Sequence, residues 1–237
     1  MRLAWPIALW LALVPAWPAP AAEAVAVPRD AIGKVNYAGF STRGQCTGVL
    51  VAPDRVLTAA HCLRRHGDGD ALPPGQIHFL AGYDRGIYRA HARAVDMDFL
   101  PVDASAVQGV RLLSDAALIT LDMTLDLVPV DLVPPGVAMP DSVIHAGYML
   151  KRPEVLTVTE PCEVLALASG LWASNCHAEP GSSGGPVFAL TDNGLQLAGI
   201  VAAINNSGAS FIVPLALIRS LLQAAPSVAV PDLETGG

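Results

Sequence analysis

Basic residues are scarce in this chain of 237 residues: 14 Lys and Arg stand against 21 Asp and Glu, a formal net charge of -7. They form no stripe of the kind that tracks a phosphate backbone, which argues against nucleic acid as a partner. The uninterrupted apolar run near the start is well short of the ~20 residues that a membrane-spanning helix requires. Cysteine is limited to Cys46, Cys62, Cys162 and Cys176, and no two of these have the Cys-x-x-Cys spacing of a zinc site. No long amphipathic helix interrupts the body of the chain, and no histidine follows His177. Each absence narrows the reading; the last decides between two folds below.

What is present is apolar. A hydrophobic content of 52% leaves no difficulty in building a core, and the length suits one two-barrel domain or two small ones. Residues 1–22 carry Arg2, the apolar stretch Ile7 to Val14, and small residues at Ala19, Ala21 and Ala22. That is the profile of a signal peptide, and Pro15, Pro18 and Pro20 argue against the alternative of a retained anchor. Export permits disulfides. Four cysteines allow three connectivities, and the local one is expected: Cys46 with Cys62, Cys162 with Cys176.

Beyond the leader, short apolar runs alternate with Gly, Pro, Asp and Asn, as in 47–51, 76–80, 118–122, 142–148 and 197–203. Such a rhythm predicts an all-β sandwich or barrel. Near the end, Leu215, Leu217, Ile218, Leu221 and Leu222 recur at helical spacing, with Pro214 suited to the first turn. Residues 226–237 offer little to bury and read as a flexible tail. The Pro-rich stretch from Val128 to Gly136 divides the remainder, giving expected halves of about 31–128 and 129–225 within a domain spanning 23–225.

The chemistry centres on Gly181-Ser182-Ser183-Gly184-Gly185-Pro186. Glycines there let the backbone turn sharply, expose a serine hydroxyl and aim main-chain N–H groups at one point, although a flexible Gly/Ser turn has the same composition. The run also fits Gly-x-Ser-x-Gly, the nucleophile elbow of α/β-hydrolases. In that fold the catalytic histidine follows the serine. Here His61, His66, His78, His91, His145 and His177 all precede Ser183, so a general base must lie upstream. A serine hydroxyl needs an imidazole to take its proton, and His61, beside Cys62, is the candidate.

Cys46-Thr47-Gly48-Val49-Leu50-Val51 with Leu57-Thr58-Ala59-Ala60-His61-Cys62, followed by Gly181-Ser182-Ser183-Gly184-Gly185-Pro186, resembles the chymotrypsin/trypsin-like serine peptidases. The likeness runs from about Ala31 to Leu222. It implies two packed six-stranded antiparallel β-barrels with a C-terminal helix and a site in the cleft between them. It also implies an aspartate between the histidine and the serine. Asp115, in Ser114-Asp115-Ala116-Ala117-Leu118, fits best, with Asp96, Asp98, Asp103 and Asp122 as rivals. By the same resemblance the N–H groups of Gly181 and Ser183 would form an oxyanion hole, and the expected activity is that of a secreted or periplasmic serine endopeptidase. Its partners would be protein or peptide substrates, without cofactor, metal or membrane insertion, and the protein would be a monomer. A peptidase-fold binding protein without activity is the alternative.

Two positions depart from the trypsin pattern. Ser182 stands where clip-activated relatives carry an aspartate, which removes the anionic partner of a new N-terminus. His177 stands where trypsin-like enzymes carry the aspartate that selects basic side chains. Arg29 to Val35, together with Gly181-Ser182-Ser183-Gly184-Gly185, is more similar to bacterial glutamyl-endopeptidase-like members. His177 could meet an acidic substrate side chain; alternatively it turns away, and Ala178, Ala202 and Ala203 line a pocket for small or aliphatic groups.

Overall fold

A computed structural model describes residues 26–38, 43–65, 67, 69–102, 111–167, 170–205 and 208–224. The expected leader at 1–22 and tail at 226–237 lie outside these residues, as do His66 and Asp103.

Alternation of side chains across a pleated strand organises the first half. In β4 (Ile77–Ala81) Ile77, Phe79 and Ala81 are buried while His78 and Leu80 are only partly so. With β1 (Ile32–Ala38), β2 (Arg43–Ala52), β3 (Arg55–Thr58), β5 (Ala90–Phe99) and β6 (Ala117–Leu121), it forms a closed antiparallel barrel in the order β1-β2-β3-β6-β5-β4. Closure comes from β1 pairing with β4, Val35 opposite Phe79. Every residue of β6 is buried, because one face points into the barrel and the other is covered from outside.

The second half builds another antiparallel sheet from β7 (Ser142–Gly147), β8 (Thr157–Val158), β9 (Cys162–Ala166), β10 (Trp172–Ser174), β11 (Pro186–Thr191), β12 (Gly194–Ile204) and β13 (Ser210–Pro214). Its order is β11-β12-β13-β10-β9-β7, and the pairing of β11 with β7, Val187 opposite His145, closes these six into a barrel. The two-residue β8 is an addition on β7. The architecture is thus the chymotrypsin-like pair of six-stranded barrels.

The helix α1 (Leu215–Ala224) buries Leu215, Ile218 and Leu221 and leaves Leu217 exposed. Pro214 is not in its first turn: it ends β13, paired with Gly199, and the helix begins at the next residue. The Pro-rich stretch crosses between barrels by main-chain bonds, Val130 N–H to Leu50 O at 3.0 Å and Val133 N–H to Leu197 O at 3.0 Å. One apolar cluster runs through both halves, with Leu50, Leu57, Phe79 and Ile119 on one side and Phe188, Leu197 and Ile218 on the other. Burial of each such side chain contributes about 1.5–3 kcal/mol. Both disulfides are the local ones expected, Cys46–Cys62 and Cys162–Cys176.

Candidate active site

Strand register brings His61 to Asp115. Thr58, at the end of β3, pairs with Ala117, at the start of β6. The chain leaves β3 into a single 3-10 turn, Ala60–Leu63, which carries His61, and enters β6 from another, Leu112–Ser114, which ends on Asp115. The two residues therefore meet at one end of the first barrel. Asp115 Oδ1 accepts the backbone N–H of His61 at 2.8 Å, and Oδ2 lies 2.7 Å from Nδ1. One carboxylate thus fixes both the main chain and the ring, and with Nδ1–H bonded to it the basic lone pair falls on Nε2. The Asp115 side chain is 11% exposed and that of His61 45%. Burial works against the charged imidazole, but the hydrogen bond His61 donates to Asp115 and the negative charge of that carboxylate outweigh burial and raise the His61 pKa above the ordinary value.

Cys62, next in sequence, ties this turn to β2 through Cys46. Its sulfur lies 3.7 Å from His61 Nε2 and 3.9 Å from the Ser183 carbonyl oxygen. Ligand-type atoms of Cys46, His61 and Cys62 fall within 4.8 Å of one another, but the two sulfurs are bonded together and offer no thiolate to a metal.

Ser183 enters from the second barrel on a loop held at nearly every peptide. The Ser182 N–H and hydroxyl both donate to Glu179 O, at 3.0 and 2.6 Å. Gly184 N–H donates to Val201 O at 2.7 Å, and Ser183 O accepts Thr47 N–H at 2.9 Å. Pro180 O accepts Leu150 N–H at 2.8 Å, which turns the Gly181 N–H the opposite way. Among the described residues no acceptor stands against the N–H of Gly181 or Ser183. Two glycines have left-handed φ: Gly181 at +96°, where a Cβ would stand 2.4 Å from Tyr148 O, and Gly184 at +77°, where one would stand 2.2 Å from Thr58 Oγ1. No side chain fits at either place.

The structure brings His61 and Asp115 into direct contact and Ser183 to the same disulfide. Among the described residues no hydrogen bond joins Ser183 Oγ to His61 Nε2. The rival aspartates lie elsewhere: Asp96 and Asp122 accept the N–H groups of Met97 and Arg93, and Asp98 is in β5 opposite Leu118. Ser182 is buried, with its hydroxyl on Glu179 O.

His177 is turned outward, its side chain 65% exposed, with Nε2 3.0 Å from Glu179 Oε1. Lys151 Nζ lies 2.9 Å from the same oxygen. Hydrogen bonds from Lys151 and then His177 lower the Glu179 pKa. Ala178 and Ala202 are buried and Ala203 is partly buried; Ala178 N–H donates to Gly208 O at 3.2 Å. Sequence reasoning missed Glu179 and also Thr47, whose hydroxyl donates to Gly181 O at 2.8 Å and accepts Tyr148 N–H at 2.9 Å. Thr47 has no local signal, since both partners of its hydroxyl are brought near by the fold, whereas Glu179 stands two positions from His177 and only Lys151, 28 positions away, is brought to it from a distance.

Comparison with known proteins bears on the family and the fold. Serine protease 23 of Rattus norvegicus is 30% identical over 166 residues, 60% of this chain but 42% of that protein. The chain thus spans less than half the length of the curated relatives it matches. Two solved structures share the fold: the protease Anisep from Arthrobacter nicotinovorans, at 20% identity and TM-score 0.65, covering 81% of this chain and 94% of that one; and a Glu endopeptidase in complex with MPD, at 18% and 0.66, covering 86% and 94%. A profile of the trypsin-like peptidase domain matches residues 46–200, from the first half-cystine through His61, Asp115 and Ser183 into β12, and the chain belongs to that family.

Proposed function

We propose that the protein is an exported serine endopeptidase in which Ser183 is the nucleophile, His61 the general base and Asp115 the residue that orients and stabilises it. The observation that carries this reading is the two-oxygen grip of Asp115 on His61, which leaves Nε2 as the basic nitrogen. Ser183 Oγ attacks the scissile carbonyl as its proton passes to Nε2. The unbonded N–H groups of Gly181 and Ser183 hold the oxyanion. His61 then gives the proton to the leaving amine, and water, activated by the same ring, releases the acyl group. The separation of Ser183 Oγ from Nε2 closes when substrate binds, as hydrogen bonds of unliganded sites commonly do.

With His177 engaged by Glu179 rather than directed inward, the buried Ala178 and Ala202 with Ala203 favour small or aliphatic side chains. Two disulfides, with the signal-peptide-like composition of residues 1–22, support export to an oxidising compartment. Among the described residues no helix is long and apolar enough to cross a membrane. A fluorophosphonate probe should label Ser183, and Ser183→Ala and His61→Ala should abolish labelling. Folded protein with both disulfides that never labels would overturn the assignment in favour of a binding protein.

A further inference from the structure

A cleft of about 710 Å³ opens between the turn joining β4 to β5 in the first barrel and the segment from Tyr148 to Leu156 in the second. Four arginines line it, Arg29, Arg85, Arg89 and Arg152, against two carboxylates, Asp30 and Asp84, in a chain whose net charge is -7. The carboxylates are already engaged, Asp30 with Arg89 at 3.2 Å and Asp84 with Arg85 at 3.1 Å. Among the described residues the guanidinium groups of Arg29 and Arg152 meet no acceptor. Its border is apolar, with Ile87 75% and Tyr88 46% exposed. Below lies Tyr148, whose buried ring packs edge-on against Tyr83 and whose hydroxyl donates to Tyr83 O at 2.8 Å.

We propose that this cleft is a docking site for an acidic peptide segment that places carboxylates on Arg29 and Arg152 and an apolar side chain against Ile87 and Tyr88. A planar guanidinium grips a carboxylate through two parallel hydrogen bonds, and two such forks in one cleft fit a chain with spaced acidic groups. The volume greatly exceeds that of a single oxyanion, and the exposed Ile87 has no use for one. The floor of the cleft is also the wall of the Ser183 loop: Tyr148 N–H bonds to Thr47 Oγ1, which bonds to Gly181 O. A segment seated there lies against the proposed catalytic machinery without occupying it.

Fluorescence anisotropy of a fluorescein-labelled peptide of alternating Glu and Leu, titrated with the full chain carrying Ser183→Ala so that nothing is cut, tests the assignment. Saturable binding is expected, weakening with added salt and about tenfold in the Arg29→Gln/Arg152→Gln variant. Arg29→Lys/Arg152→Lys, which keeps the charge and loses the planar fork, should fall between. A matching peptide of Lys and Leu should not bind. Equal affinity in the Gln variant, with its melting temperature unchanged, overturns the proposal, as does displacement of the peptide by inorganic phosphate at equal molar concentration. The measurement is independent of turnover, so failure of the peptidase reading, seen as absent fluorophosphonate labelling, is a separate result.

Discussion

Folding stability and proton transfer set opposite demands on His61, which Asp115 grips with both oxygens. A charged imidazole is stabilised by the carboxylate, and the raised folded pKa means that this stabilisation is complete below the unfolded pKa of about 6.5. It is lost as pH rises through the folded value. On the proposed chemistry, proton transfer from Ser183 requires the neutral ring, so activity should rise over the pH range in which the ion pair is given up. In Asp115→Asn the raising influence is gone and burial alone remains, so the residual kcat/KM should have its acid limb at lower pH. Its plateau should fall by about 10⁴-fold, the size expected when an orienting carboxylate is removed with geometry preserved. A pH profile of the variant with the same limb as the parent would show that Asp115 does not tune the base.

At the scale of elements, β2 does more than complete a barrel. Thr47 accepts Thr58 Oγ1–H on its carbonyl at 2.8 Å, donates its N–H to Ser183 O, and joins Gly181 O to Tyr148 N–H through its hydroxyl. Thr47→Val should strand two buried main-chain groups and destabilise the protein by about 2–4 kcal/mol, whereas Thr47→Ser should keep the bonds. Urea denaturation would measure the difference; a Val variant within about 0.5 kcal/mol, a size of ordinary surface effects, would deny the hydroxyl its role. β2 itself was legible, because Thr47 to Val51 is an apolar run ending at Pro53. The hub was not: its partners Tyr148 and Gly181 stand 101 and 134 positions away. β9 was equally hard to read, since only Val164 within it is buried and no alternation marks the strand. Gln76, expected at the start of a strand, belongs to the 3-10 turn Pro74–Gln76 before β4.

For the whole molecule, chain order was the most informative part of the sequence, because every histidine precedes Ser183 and the nucleophile elbow of α/β-hydrolases requires one after it. Burial of the remaining histidines could not be read in that way. His145 is 3% exposed in the second barrel, with Nε2 3.2 Å from Ser174 Oγ, which in turn lies 2.9 Å from Ser210 Oγ, and with no partner for Nδ1. Burial pushes its pKa down to about 4. The unfolded chain therefore binds the proton first, and stability falls as pH drops from about 6.5 to about 4, by about 3 kcal/mol at the limit. Melting temperatures across this range should decline in the parent and flatten in His145→Gln; parallel slopes would assign the acid sensitivity to other groups.

The split of the site between barrels governs when the protein can act. His61 and Asp115 belong to one barrel and Ser183 to the other, with 121 positions between Cys62 and Ser183. An emerging polypeptide holds the proposed base, His61, long before the proposed nucleophile, Ser183, is made. On the proposed chemistry neither barrel alone can cut a peptide, and activity waits until both halves have closed and met.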